Sequence, residues 1–162
     1  MAGAMAVIGA GNILMGDDGV GVAVVEAIRR AGAPEHVELY DAGTALQDVL
    51  PHVDRCERVV LVDCCRAGGA PGTVYRAVYS PEGWDGGPMG DSLHDLNAVQ
   101  ALRMHELARG ALGEVILIGV EPADVSLRMG LSPELEERLP AIVSKVMDEL
   151  QAPSRARRGG TE

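Results

Sequence analysis

Three observations predict an α/β protein of three layers, α/β/α, around a five-stranded, mostly parallel sheet whose fourth strand runs antiparallel. Five short apolar or β-branched runs occur along the chain, most of them stopped by glycine or aspartate, the pattern of buried strands. Stretches with helical spacing separate most of them, and strands alternating with helices imply a sheet covered on both faces. Only about eight residues part the third strand from the fourth, too few for a parallel crossover.

The first strand is Met5-Ala6-Val7-Ile8, ended by Gly9-Ala10-Gly11-Asn12. After a polar Gly16-Asp17-Asp18-Gly19 patch, Val20, Val22, Val24, Val25 and Ile28 fall at helical spacing up to Arg29-Arg30, with Gly32 and Pro34 as stop signals. Val37 to Tyr40 is the second strand, closed by Asp41-Ala42-Gly43-Thr44, and a helix is expected from Thr44 to about Val53. Val59 to Val62, ending at Asp63, is the third strand. The turn Ala70-Pro71-Gly72 precedes a fourth, Thr73 to Tyr79, rich in β-branched and aromatic residues. Residues 80–92 read as loop by composition. A helix follows from about Leu93 to Arg109, with Leu96, Val99, Leu102 and Leu107 on its apolar side. Val115 to Val120 is the last strand, and Pro133 to Leu150 an amphipathic helix presenting Leu135, Leu139, Ile142, Val143 and Val146.

At 162 residues the chain lies within the ~100–200 usual for one domain and can bury roughly 70% of its unfolded surface. Residues 1–151 are read as that domain and 152–162 as a disordered tail. Fourteen basic against 24 acidic residues leave a net charge of −10, which argues against nucleic acid or anionic lipid as the main partner. No apolar stretch approaches the ~20 residues of a bilayer span, and the N-terminus lacks the pattern of a secretory signal. Three cysteines, Cys64 and Cys65 adjacent, are no disulfide framework and imply a reducing, cytoplasmic compartment. With no Phe, one Trp and three Tyr, the core must be aliphatic.

Ligands of such folds bind beyond the carboxyl ends of the strands. That rule gathers Asn12, Asp17, Asp18, Asp41, Asp63 and Glu121 at one edge, a concentration of acids. Gly9-Ala10-Gly11 does not make a dinucleotide fingerprint, because the third glycine position holds Leu14 and the nearby acids would repel pyrophosphate. Asp17 or Asp18 could cap the helix that follows and complement its dipole. Like charges gathered at one edge nevertheless call for a cation or proton, which gives Asp18 and Asp63 a functional reading. His36 and His52 lie beside connections and read as solvated, and His105 falls at a mid-helix surface position. His94, at a helix entry after a glycine-rich loop, is either a capping-region residue or the third ligand of a Zn or Ni site with the two aspartates. Cys64 and Cys65 read as buried small hydrophobes.

The run from Gly9 to Gly21 resembles the N-terminal signature of the nickel–iron hydrogenase maturation proteases. So do Asp41 to Thr44, Val62-Asp63 with Gly69 to Thr73, Ser92-Leu93-His94, Gly119 to Pro122, and Gly130 to Pro133, in order over roughly residues 5–150. Members of that family are endopeptidases that remove a short C-terminal extension from the hydrogenase large subunit after nickel insertion. The resemblance implies the fold already described. It implies a metal set of Asp18, Asp63 and His94, and links Asp41 to activity or substrate recognition. Asp18 stands where some relatives have glutamate. The implied cofactor is nickel supplied by the substrate, and the implied partner is the large-subunit precursor; a monomer that meets it transiently is the default expectation.

A metal-activated water or a carboxylate base could each cleave a peptide bond here, with Asp18, Asp41 and Asp63 as the catalytic candidates. No zinc-protease helix motif and no G-x-S-x-G elbow is present. Two other classes stay open: a non-catalytic chaperone of nickel and precursor, and a phosphoacceptor domain. The latter would need a lysine after the last strand, where Glu121-Pro122 stands.

Overall fold

The computed structural model describes residues 3–80, 83–85 and 97–153. Its strands are β1 Met5–Ala10, β2 Val37–Gly43, β3 Arg58–Cys64, β4 Val74–Ser80, β5 Gly83–Asp85 and β6 Glu114–Val120, in the order β2-β1-β3-β6-β4-β5. β1 pairs in parallel with β2 and β3, and β3 with β6; β4 runs antiparallel to β6, as the short connection before it requires. The α/β class and the five expected strands are as the sequence implies. The addition is β5, three residues antiparallel to β4 inside the stretch read as loop. A short edge strand uses backbone groups alone, so the glycine- and proline-rich composition did not reveal it.

The helices are α1 Val20–Ala31, α2 Leu46–Val49, α3 Asn97–Arg109 and α4 Pro133–Gln151, with 3-10 turns at Gly16–Gly19 and Leu50–Val53. The helix expected from Thr44 to Val53 is therefore split. Pro51 has no N–H to continue an α-helix but fits the opening of the next helical turn. Side chains alternate across the sheet. Ala6, Ile8, Val59, Leu61, Val115 and Leu117 face one core, closed by Leu46, Leu50, Val53, Ala98 and Leu102. Val7, Val60, Val62, Ile116 and Ile118 face the other, closed by Val24, Val25 and Ile28 of α1 and Leu135, Ile142 and Val146 of α4. Each such Val, Leu or Ile side chain contributes about 1.5–3 kcal/mol by burial.

On α3 the expected apolar side is buried at Val99 and Leu102 but not at Leu107. Ala98, Leu102 and His105 are buried, at the three- and four-residue spacing of one helix face, whereas Leu107 is 90% exposed. His105 is thus not a surface residue: its Nε2 lies 2.7 Å from Asp54 Oδ1. The N-terminal part of that expected helix, with Leu96, and the tail from residue 154 lie outside the described residues. Among the described residues no helix is long and apolar enough to cross a membrane.

Close contacts at the two ends of the sheet fix the frame around the cleft. A Cβ on Gly21 would lie 2.2 Å from the Val62 carbonyl oxygen and 2.6 Å from that of Ala10, so α1 rests directly on β1 and β3. At the opposite end, buried Arg58 donates to the Glu114 carboxylate and to the Glu149 and Ala152 carbonyls, tying the end of α4 to the sheet. The order β2-β1-β3 means that the chain leaves β1 over one face and returns over the other. That reversal opens a crevice at the carboxyl ends of β1 and β3.

Candidate functional site

A cleft of about 290 Å³ occupies that crevice. Gly11 and Asp18 from the loop after β1 form one side, Gly43, Thr44 and Gln47 after β2 another, and Asp63 with Cys64 the floor, while Ala98 and Ala101 of α3 flank it. The loop after β1 doubles back tightly. Gly11 has φ 132°, and a Cβ there would meet the Asp18 carbonyl oxygen at 1.9 Å, so only glycine fits. The fold-back lets the Asn12 N–H donate to Asp18 Oδ2 at 2.8 Å, while the Asn12 side-chain oxygen accepts the Leu14 N–H at 2.9 Å. Asp18 is thereby held, half-buried, at the cleft wall.

Asp63 shares the strand face of Val59 and Leu61, which directs it toward α2 and α3. Burial pushes its carboxyl up to about 7; the Cys64 N–H, donated at 2.8 Å, opposes this, and the negative charge of Asp18 adds to it. The pair is therefore short of positive charge near neutrality, a situation that a cation or a bound proton relieves. Two carboxylates on an open wall are hard oxygen donors, and with an imidazole they would suit a divalent transition metal. Among the described residues no group of three or more histidine, cysteine, aspartate and glutamate side chains is assembled for a metal. His94, the third residue of the expected set, lies outside the described residues.

Cys64 borders the cleft, but burial and then the charges of Asp18 and Asp63 push its thiol to about 12; Cys65 is pushed to about 11, burial again leading and Glu121 next. Neither is a thiolate at neutral pH, consistent with small buried hydrophobes. His36 and His52 are exposed, as expected, and the His52 ring stacks on Tyr40 with centroids 6.1 Å apart.

The other acids do not converge on the cleft. Asp17 is fully buried and turned away from it. Its carboxylate accepts the N–H groups of Ala123, Asp124 and Ser132 at 2.8, 2.9 and 2.7 Å and the Ser132 hydroxyl at 2.8 Å. Burial alone would raise its pKa, but these hydrogen bonds outweigh it and hold the carboxyl below the ordinary value. The helix-capping reading of Asp17 and Asp18 fails: Met15 and Gly19 are the cap residues and neither makes a side-chain capping bond. Glu121 is buried elsewhere, accepting from the Ala67 and Gly68 N–H groups and the Tyr75 hydroxyl. Asp41 is exposed and accepts the Gly43 N–H at 2.9 Å; Gly43 lines the cleft, Asp41 does not. Sequence reasoning missed Gln47, Ala98 and Ala101 as wall residues, since neutral and small side chains carry no chemical signal.

The family model described as "HycI: Hydrogenase maturation protease" matches residues 22–149. The coenzyme F420 hydrogenase subunit delta of Methanothermobacter thermautotrophicus is 30% identical over 89% of this chain and 92% of its own length. The hydrogenase 2 maturation protease of Escherichia coli is 28% identical over 90% of this chain and 89% of its own length. The crystal structure of a hydrogenase 2 maturation peptidase from a Thaumarchaeota archaeon superposes with a TM-score of 0.70 at 29% identity, covering 91% of this chain and 97% of that one. Because that family model matches well over half of the chain, the chain belongs to the hydrogenase maturation protease family.

Proposed function

We propose that this chain is the cytoplasmic, monomeric endopeptidase that removes the C-terminal extension of a nickel-loaded [NiFe] hydrogenase large-subunit precursor. The observation that carries the reading is the placing of Asp18 and Asp63 on one open cleft in a member of this family. Nickel belongs to the substrate in this scheme, and Asp18, Asp63 and His94 engage it. Three such ligands leave coordination positions for the precursor's own donors, which suits a transient rather than a permanent site. The shortage of positive charge around Asp63 supports this, because a cation entering the cleft would replace the proton that burial favours there.

Hydrolysis then needs a water directed at the scissile carbonyl, and a carboxylate, Asp18 or Asp41, to take its proton and return it to the departing amine. Asp18 is held by Asn12 with its carboxylate at the cleft wall. Asp41 is exposed outside the cleft lining and accepts the N–H of Gly43, which lines it. Aspartate is thus the acid–base residue of this peptidase, with no part for the Cys64 thiol.

The test is processing of purified nickel-loaded precursor, read by gel shift and C-terminal mass. Wild-type protein is expected to cleave it, and Asp18→Ala, Asp63→Ala and His94→Ala are each expected to lose at least a hundredfold in rate, within the range of general acid–base contributions of about 10²–10⁴. Native rates in all three variants would overturn the residue assignment. Binding of the precursor with no cleavage by wild type would replace the peptidase with a non-catalytic chaperone.

A further inference from the structure

The loop that supplies Asp18 to the cleft has a second side. Its backbone pairs with the loop before α4: the Arg128 N–H donates to the Leu14 carbonyl and the Gly16 N–H to the Arg128 carbonyl, both at 2.9 Å, around a Met15–Arg128 bridge. The joined loops display Ile13, Leu14, Leu127 and Met129, which are 48%, 51%, 82% and 68% exposed. Beside them runs an apolar groove of about 170 Å³, lined by Ile13, Gly16, Gly19, Val22 and Leu131, with Glu136 at its border. Single exposed apolar side chains are ordinary, but a contiguous set next to a groove marks an interaction surface.

Resting on the peptidase reading, we infer that this patch is where the body of the hydrogenase precursor docks, through an apolar segment flanked by basic residues, while its extension enters the cleft. Continuity is the first argument. Gly11 and Asp18 line the cleft, and Ile13, Gly16 and Gly19 of the same loop line the groove, so a partner filling one lies against the other. Rigidity is the second. Asp17 locks the two loops from beneath, and a Cβ on Gly16 would come 2.5 Å from the Asp124 carbonyl oxygen, so little freedom is lost when a partner binds.

Charge selects the occupant. In a two-fold pairing of this chain with itself, each copy would bring the Glu136 border, with exposed Glu134 and Glu137 near it in sequence, and a net charge of −10, while the basic Arg128 of the patch is already turned to Asp124 at 3.8 Å. A partner with basic groups around an apolar centre meets no such repulsion. Contacts outside the cleft that are equally strong before and during cleavage supply selection for one precursor without altering the chemical step.

The experiment compares wild type, Leu127→Asp/Met129→Asp, and the control Leu107→Asp, which adds a charge at an exposed position of α3. Affinity for purified nickel-loaded precursor, cleavage rate at saturating precursor, and sedimentation velocity are measured for each. The double variant is expected to bind precursor at least tenfold more weakly, with the rate at saturation and the monomeric state unchanged, and the control to match wild type. Equal affinity in the double variant overturns the inference, as does a wild-type dimer that the double variant dissociates without change in precursor affinity. If wild type binds but does not cleave, the peptidase reading falls and the docking surface still stands or falls on the affinity ratio. If wild type does not bind precursor, both fall.

Discussion

Replacing Asp17 by alanine removes a single carboxylate that serves four donors, and the cost can be worked from their burial. Ser132 is 2% exposed and supplies two of the donors, its N–H and its hydroxyl, so neither regains water when the acceptor goes. Each buried donor left unpaired costs about 1–3 kcal/mol. The Ala123 and Asp124 N–H groups belong to residues nearer the surface and can turn to solvent, losing at most about 1 kcal/mol each. Ser132 also caps α4 by accepting the Leu135 N–H at 3.3 Å, an interaction that its freed hydroxyl would hold less well. The expected loss is about 3–6 kcal/mol, a large part of the roughly 5–15 kcal/mol that separates folded from unfolded domains. Asp17→Asn keeps one acceptor oxygen but turns an NH₂ toward the donors, and should cost about half as much.

Urea unfolding at pH 7 reads both values as a fall in midpoint with unchanged slope. The pH series provides an independent check. A folded-state constant below the ordinary 3.8 means that the Asp17 contribution is fully present above about pH 4 and is lost as pH falls through the depressed value. Asp17→Asn should therefore lose less stability than wild type on acidification. A loss under 1 kcal/mol in Asp17→Ala, or an acid response in Asp17→Asn identical to wild type, would refute the account of Asp17 as a structural staple.

Asp63 has the opposite linkage: its constant of about 7 lies above the ordinary 3.8, so the folded state retains the proton longer, and stability is highest below about pH 4 and declines as pH rises toward 7. The full shift corresponds to about 4 kcal/mol as an upper bound, so in chelator Asp63→Asn should melt well above wild type at pH 8 and close to it at pH 4.5; parallel curves would contradict the burial argument. Gly21→Ala should destabilise by about 3 kcal/mol or more, because the three nearest atoms its Cβ meets are backbone atoms of Val62 in β3 and Ala10 in β1 that cannot step aside. A change within about 0.5 kcal/mol in urea would show that α1 does not press on the sheet there.

The sheet was legible because its signals are long and redundant. In β1, β3 and β6 the apolar residues run continuously, and every second one reaches a different core, so no helical period fits them. Asp63 was legible as a site residue for the same reason: the end of a central parallel strand is where such folds bind ligands, and the strand's register alone puts the side chain there. Asp17 and Glu121 were not separable from it by sequence, since each also follows a strand. What distinguishes them is a set of donors more than fifty residues away, Ser132 for Asp17 and the Ala67–Gly68 turn for Glu121. The inward place of His105 and the outward place of Leu107 on α3 were hidden because the helix's apolar content is spread around it, with Met104 also exposed.

The adjacent acids of the Gly16–Gly19 turn show how one short segment serves stability and chemistry together. A 3-10 turn advances about 120° per residue, so consecutive side chains cannot share an environment. Asp17 turns under the loop, where four donors satisfy it, and Asp18 turns out to the cleft beside Asp63. Placing Asp18 near a second, buried carboxyl is unfavourable without a cation, and such a loop would relax away if nothing held it. The hydrogen bonds of Asp17 and the Asn12 N–H oppose that relaxation from either side of Asp18. A cleft kept short of positive charge by a well-anchored neighbour is the electrostatic setting that the proposed engagement of a substrate-borne nickel by Asp18 and Asp63 would require.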